Sequence, residues 1–411
     1  MARFFLQSAQ CAPRRWGVLL GSFVLMACGT FAHWALAKAP LPPAQHRVQL
    51  EPASTVAMQS EAASLLAQVR VAPRAADLAR AQNLIERLLA IDAPRADALN
   101  AWRLLIDHRF DEALTAARRA RSTGTDALLA AVSEADALTE LGRYDEAEST
   151  VQYLLDHHYG IAALARASHL RMVFGDLPGA IELTERALAL RTAAVDRAWL
   201  LLDLAELQLM AGAPSRALTL AMAAVEHLPA PALAMQARAQ AAQGKAQAAL
   251  ALYRVALDTD LRAETLLEVL RLARKQGELT LARRSAAVLD GMARLDANGV
   301  GSDRRCFVEF YAERGELITA EALARAEWRQ RPDIFGAAQL AWVLLRADKA
   351  REAHAYAVYA VRLGTPDPLL QWRAGAVLAA NGEARGKTLM ATAVARDAHL
   401  ADGVATLALR P

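Results

Sequence analysis

The segments HRFDEAL (108–114), GRYDEAE (142–148), GDLPGAI (175–181), GAPSRAL (212–218), GKAQAAL (244–250), GELTLAR (277–283), GELITAE (315–321), DKAREAH (348–354) and GEARGKT (382–388) align without gaps. Their first residues are spaced by 34, 33, 37, 32, 33, 38, 33 and 34 positions. A period sustained over nine units marks a repeat array, in which each unit is one supersecondary element that buries its apolar face only against its neighbours. Apolar residues recur at i, i+3, i+4 and i+7 on both sides of each segment, so each unit reads as two amphipathic helices. The glycine that opens most segments ends one helix and reverses the chain. A weaker, earlier unit covers about residues 60–92 and ends in RAADLARAQNLIERLLAID.

Two columns of small residues flank the turn. Five residues after it come Ala113, Ala147, Ala180, Ala217, Ala249, Ala282, Ala320 and Ala353, and the column fails at Lys387. Seven residues before it come Ala101, Ala135, Ser168, Ala205, Ala237, Ala341 and Gly375, with Leu270 and Val308 as exceptions. Helices approach closely only where the crossing side chains are small, so these columns mark the crossing inside each pair. A third column (Ala120, Ala187, Ala224, Ala256, Ala360) seats the second helix against the next unit, and Pro229 and Pro332 stand where a second helix stops.

On these residues the chain resembles the tetratricopeptide-repeat family over about 60–395. The resemblance implies an all-α solenoid, a right-handed superhelix of about nine to ten helical hairpins with first helices lining a concave groove. The long intervals imply short loop insertions near 191–195 and 293–301, and Lys387 and Val394 an atypical last unit. The organisation read from the sequence is 1–37 signal peptide or membrane anchor, 38–58 Pro-rich linker, 59–395 solenoid and 396–411 C-terminal tail.

The groove registers implied by the family place Trp102, Trp199, Phe335, Trp342 and Trp372 on the concave side. They also give Arg238, Arg271, Arg274 and Lys275 in the middle, with Asp136, Glu140 and Glu206 before them. The Asn and Lys pattern with which chaperone-type repeats clamp a C-terminal carboxylate is missing. The candidate peptide-binding set is therefore Trp102, Trp199, Arg238, Arg271, Arg274, Lys275, Phe335 and Trp342, with aromatics to anchor a segment and basic residues to select an acidic stretch. A bland reading stands beside it, in which the aromatics fill gaps between units and the charges are solvated.

Ahead of the repeats, Arg14 and Arg15 precede an uncharged run, WGVLLGSFVLMACGTFAHWALA (16–37), closed by Ala35-Leu36-Ala37. A basic start, an apolar stretch and a small-x-small exit describe a secretory signal cleaved after Ala37. At 22 residues the run is also long enough for an inner-membrane anchor. LMACG (25–29) resembles a lipoprotein box at Cys28, which the apolar residues after it fit least. All three readings place the repeats outside the cytoplasmic membrane.

Of the 411 residues 55% are hydrophobic and 96 are alanine, which excludes a disordered or collagen-like chain. Only five of the 47 basic residues are lysine, a bias of GC-rich bacterial genomes. Arg3, Arg14 and Arg15 carry the whole formal +3, since the rest holds 44 basic and 44 acidic residues. No general basic face for nucleic acid follows from that balance. Three cysteines build no disulfide framework, and Cys306 reads as a buried small hydrophobe.

His157-His158 reads as a helix end, Asp258-Thr259-Asp260 as capping acids at a repeat boundary, and Gly299-Val300-Gly301 as an insertion loop. No cofactor or metal is implied. Beyond about residue 395 only sixteen residues remain, too few for the catalytic domain that some repeat-bearing glycosyltransferases carry. The sequence therefore reads as a non-catalytic scaffold of the cell envelope, touching the membrane only through its N-terminal segment and binding a protein or peptide in its groove. The alternative is a regulatory or sensor subunit of an envelope enzyme or export complex that binds a small ligand.

Overall fold

The computed structural model describes residues 52–72, 74–296 and 304–401, and the export segment, the linker before Pro52 and the Gly299–Gly301 loop lie outside them. Twenty helices and no strand occur among the described residues. They run as ten antiparallel hairpins: α1 (Pro52–Val71) with α2 (Ala75–Ile91), α3 (Ala93–Ile106) with α4 (Phe110–Thr123), and α5 (Ala127–Glu140) with α6 (Tyr144–His157). Then come α7 (Ile161–Val173) with α8 (Leu177–Ala189), α9 (Ala194–Met210) with α10 (Pro214–Ala224), and α11 (Pro229–Ala242) with α12 (Ala246–Thr259). The last four hairpins are α13 (Ala263–Lys275) with α14 (Leu279–Asp296), α15 (Arg305–Arg314) with α16 (Leu317–Gln330), α17 (Ile334–Arg346) with α18 (Ala350–Ala360), and α19 (Pro368–Ala380) with α20 (Ala384–Arg396).

Each aligned turn adopts the left-handed conformation that lets a helix stop and reverse. Seven turns use glycine, while His108 (φ 55°) and Asp348 (φ 65°) accept the strain in its place. The small columns are the crossings. Ala113, Ala147, Ala180, Ala217, Ala249, Ala320 and Ala353 are fully buried, as are Ala101, Ala205, Ala237 and Ala341 opposite them. At the last hairpin the crossing is kept but moved by one residue. A Cβ on Gly375 would lie 2.8 Å from the Gly386 carbonyl oxygen, and one on Gly386 would overlap the Gly375 oxygen, so Lys387 is free to point away.

First helices pack on first helices (α1 on α3, α3 on α5, α5 on α7, α9 on α11, α13 on α15, α15 on α17, α17 on α19) and form the inner layer. Second helices pack outside, between successive first helices. The helical region opens at Pro52, inside the stretch read as linker, with proline at a position whose missing N–H costs nothing. The 37-residue interval does not make a long loop. It lengthens α9 to 17 residues, adding a turn that begins at Ala194. The second long interval likewise extends α14 to 18 residues.

The superhelix closes on itself. Gln330 donates to the His108 carbonyl (3.3 Å), the Ile334 N–H to the Tyr144 hydroxyl (3.2 Å), and the Thr365 hydroxyl to the Val173 carbonyl. These contacts join residues 190 to 222 apart in the chain. Arg331 pairs with Glu140 in the same seam and lies over the Phe110 ring. The turn glycines Gly142 and Gly175 sit beneath the loops after α16 and α18. A Cβ at Gly142 would overlap the Pro332 carbonyl oxygen, and one at Gly175 would lie 2.8 Å from that of Gly364. One hydrophobic core runs through both sides of the seam, uniting Leu138, Tyr144 and Val173 with Ile334, Leu340, Leu344 and Leu370.

Candidate functional site

The concave side is built by α9, α11, α13, α15 and α19, whose inward faces bring charged side chains into one network. Arg238 donates to Glu206 (2.9 Å), and Arg271 to Glu268 (2.5 Å), Glu313 (2.8 Å) and Glu309. Arg373 reaches Glu309 from two hairpins away (2.8 Å), and the Gln339 amide donates to the same carboxylate (3.2 Å). Although burial opposes it, Arg373 and Arg271 together draw the Glu309 carboxyl down to about 2. The Arg238 and Arg271 side chains keep 34% and 31% exposure, so water reaches the network and screens it.

A second set of charges lies toward α5 and α7. Arg166 donates to Asp136 (2.6 Å) with both side chains buried, and burial still holds Asp136 above the usual carboxylate range. On the same helix as Arg166, burial depresses the His169 imidazole to about 4, so it is neutral at physiological pH. Asp333 caps α17 by accepting from the Gly336 N–H (2.7 Å) and pairs with Arg305 (2.7 Å).

On α9, residues Asp196, Trp199, Asp203 and Glu206 follow at intervals of three, four and three, which makes one stripe of a helix face. Arg70, in the last turn of α1, crosses to this stripe from four hairpins away. It donates to Asp196 (2.6 Å) and places its guanidinium 5.9 Å from the centre of the Trp199 ring. Val71 packs beside it against the α9–α11 core. Asp203 has no hydrogen bond or ion pair among the described residues. Burial pushes its carboxyl up to about 8, against the pull of Arg70. The Trp199 indole N–H is buried without an acceptor among the described residues. The segment after α20 also enters the inner side, where His399 Nε2 donates to the Ala241 carbonyl (2.6 Å) and Nδ1 faces Lys275 (3.4 Å).

The candidate peptide-binding residues therefore divide. Arg238 and Arg271 share the carboxylate network, while Arg274 and Lys275 are exposed beyond it. Trp342 is half-buried and meets Trp372 edge-on, with ring centres 4.9 Å apart. Phe335 is half-buried against the seam core, and Trp102 and Trp199 are buried in the cores of their own hairpins. The middle of the inner face is not the free basic run that the registers alone suggest. Glu206, Glu268, Glu309 and Glu313 outnumber the guanidiniums they hold, and Asp203 and Asp367 add carboxyls with no direct cationic partner among the described residues.

Register reasoning missed Asp196, Asp203 and Arg70. Asp196 lies on the extra turn of α9, ahead of the aligned unit, and Asp203 falls one position beside a family groove register. The signal available was the stripe itself, two acids spaced around Trp199 on a lengthened helix. Arg70 left no local signal, because its partners are 126 residues away. Cys306 is buried in the α13–α15 core beside Phe307 and Phe310. His157 ends α6 and His158 caps it, and Asp260 caps α12 and pairs with Arg262 (2.6 Å).

Helical hairpins in series around an inner layer of first helices are shared with solved structures. Human IFIT1, solved as a dimer with m7Gppp-AAAA, superposes with a TM-score of 0.51 at 17% identity over 75% of this chain and 72% of its own. The fold is a tetratricopeptide-repeat solenoid. The Cut9–Hcn1 assembly of the APC/C gives a TM-score of 0.44 at 12% identity, and the chain, with 80% of its length matched, spans 59% of that partner chain. A pilF protein of Pseudomonas aeruginosa gives 0.40 at 16% identity over 54% of this chain and 98% of its own. No protein-family profile and no curated protein sequence matches the chain. No described helix is long and apolar enough to cross a membrane.

Proposed function

We propose that this solenoid is a non-catalytic interaction scaffold of the cell envelope, whose concave side takes a segment of a protein partner. The observation that carries the reading is a charge network that several inner helices build together. The crossings inside the hairpins are almost wholly alanine, whereas the inner faces of α9, α11, α13, α15 and α19 bring Glu206, Arg238, Glu268, Arg271, Glu309, Glu313 and Arg373 into one partly exposed network, beside the Trp342–Trp372 pair. Packing alone does not call for such groups, since an inner layer of apolar residues would close more cheaply than paired charges. We take the inner surface, where that network lies, as the working part. Arg238, Arg271 and Arg373 are already paired with glutamates, so the network offers little to a phosphate chain such as the one IFIT1 holds, which favours a protein ligand. The envelope setting rests on the basic-then-apolar N-terminal segment, residues 14–37.

Photo-crosslinking residues at inner positions 342 and 274, compared with outer positions 318 and 222, test the reading in bacterial envelope preparations. Discrete protein adducts from the inner positions are expected. Adducts from the outer positions alone would overturn the groove assignment.

A further inference from the structure

The Asp196–Trp199–Asp203–Glu206 stripe on α9 holds a cation that does not come from its own neighbourhood. Arg70 reaches it from the tip of α1, while the body of α1 is packed in a different core, with α2 and α3. The contact has the form of a receptor with a ligand in place. A carboxylate takes one edge of the guanidinium at 2.6 Å and an aromatic face lies within 5.9 Å of its carbon, the two features with which proteins select arginine. The receptor is larger than this occupant uses. Asp203, one turn beyond Trp199, keeps a carboxyl with no hydrogen-bond or ion-pair partner among the described residues, and the buried Trp199 N–H also lacks one.

We infer that this stripe is a binding site for an arginine side chain of a protein partner, and that Arg70 occupies it in cis until the partner displaces it. The inference rests on the concave side being the working surface, and it specifies the partner chemistry there: a segment bearing arginine, not the acidic stretch that the basic registers suggest. Exchange is physically accessible because it is like for like. Removing Arg70 alone strands a buried carboxylate, which is costly, whereas replacing it by another guanidinium leaves no charge unpaired. An incoming segment also gains Asp203, a half-buried carboxyl that pairs with no cation among the described residues. Arginine suits the site better than lysine, since its planar fork pairs with carboxylates and stacks on the indole together.

The test uses the full chain and a fluorescent ten-residue Gly-Ser peptide carrying two arginines, beside the same peptide with citrulline, which keeps the shape and removes the charge. Arg70→Ala eliminates a competitor held at the millimolar effective concentration of a tethered group, so the arginine peptide should bind about ten-fold tighter or more than to the parent chain. The citrulline peptide should gain nothing. Adding Asp203→Asn should reverse most of the gain while leaving helicity and melting temperature at or above those of Arg70→Ala. Arg70→Gln, which keeps the aliphatic stem, serves if Arg70→Ala loses helicity. A folded Arg70 variant that binds both peptides equally, or no tighter than the parent, overturns the inference. Inner-face crosslinks without arginine selectivity would leave the scaffold reading intact and remove this site. Arginine selectivity with crosslinks only from the outer face would do the reverse.

Discussion

Two regions of the superhelix are held together in different ways. Hairpins α3–α8 and α15–α20 face each other across the seam and share one core, in which Leu138, Val173, Leu340 and Leu370 belong to the same packed cluster. The arc between them, α9–α14, joins that core only through Leu200, Leu207 and Met210 of α9 and otherwise has three smaller cores, one around Trp199 and Ala217, one around Tyr253 and Val269, and one around Leu267 and Phe310. In the arc the cores lie between adjacent hairpins, as repeat architecture requires, and the contacts from afar are few: Arg70 and Val71 on α9, and His399 on Ala241. Across the seam, residues some 190 positions apart depend on each other directly. Periodic sequence and identical turn chemistry thus produce two mechanical regimes, and what separates them is whether the curvature brings a second set of loops within contact.

The turn glycines provide the sharpest way to break that comparison. Gly142 and Gly244 have nearly the same conformation (φ 66° and 77°), but an added Cβ meets the Pro332 carbonyl at the first and nothing within 4 Å at the second. Gly142→Ala should cost roughly 2–5 kcal/mol in urea unfolding, combining left-handed strain with overpacking. Gly244→Ala should cost only the strain, about 1–2 kcal/mol. Equal losses would mean that the seam adds nothing.

Between these falls Ala217→Leu, at a fully buried crossing of the arc, with an expected cost of about 1–3 kcal/mol. Its damage should remain local, with amide protection lost in α9–α11 and kept across the seam. Loss of protection at Tyr144 or Ile334 would show that the arc and the seam form a single cooperative unit.

The smallest effect concerns pH. The Asp203 carboxyl, raised by burial to about 8, binds its proton more tightly in the folded chain than in the unfolded one. Stability from this group is therefore present below the ordinary carboxylate range, declines as pH rises from about 4 towards 8, and is lost above that. Asp203→Asn should match the parent near pH 4 and melt a few degrees higher at pH 8.5, as read by circular dichroism. A melting difference that does not change with pH would place Asp203 in contact with a cation already.

What the sequence discloses and what it conceals follow the same division. The hairpins are legible because their causes are local: a left-handed turn, a small residue five positions on, a second one seven positions before. Even the failure at Lys387 has a local cause, since Gly386 takes the crossing one residue earlier. The seam is not legible, because Gly142 and Gly175 look like the other turn glycines and Arg331-Pro332-Asp333 like any inter-repeat loop. The inner face was half legible. Repeat registers found Arg238, Arg271 and Trp199, but registers carry no account of partners, and so the neutralising Glu309 and Glu313 and the visiting Arg70 stayed hidden until the curvature was known.

Native-state hydrogen exchange on Gly142→Ala tests closure of the superhelix most directly. The account predicts that amides of 138–147 and of 330–345 lose protection together while those of 246–258 in α12 keep theirs, because opening the seam frees both faces and leaves the arc packed. Loss confined to the hairpins adjoining Gly142 in sequence, with 330–345 unchanged, would contradict it.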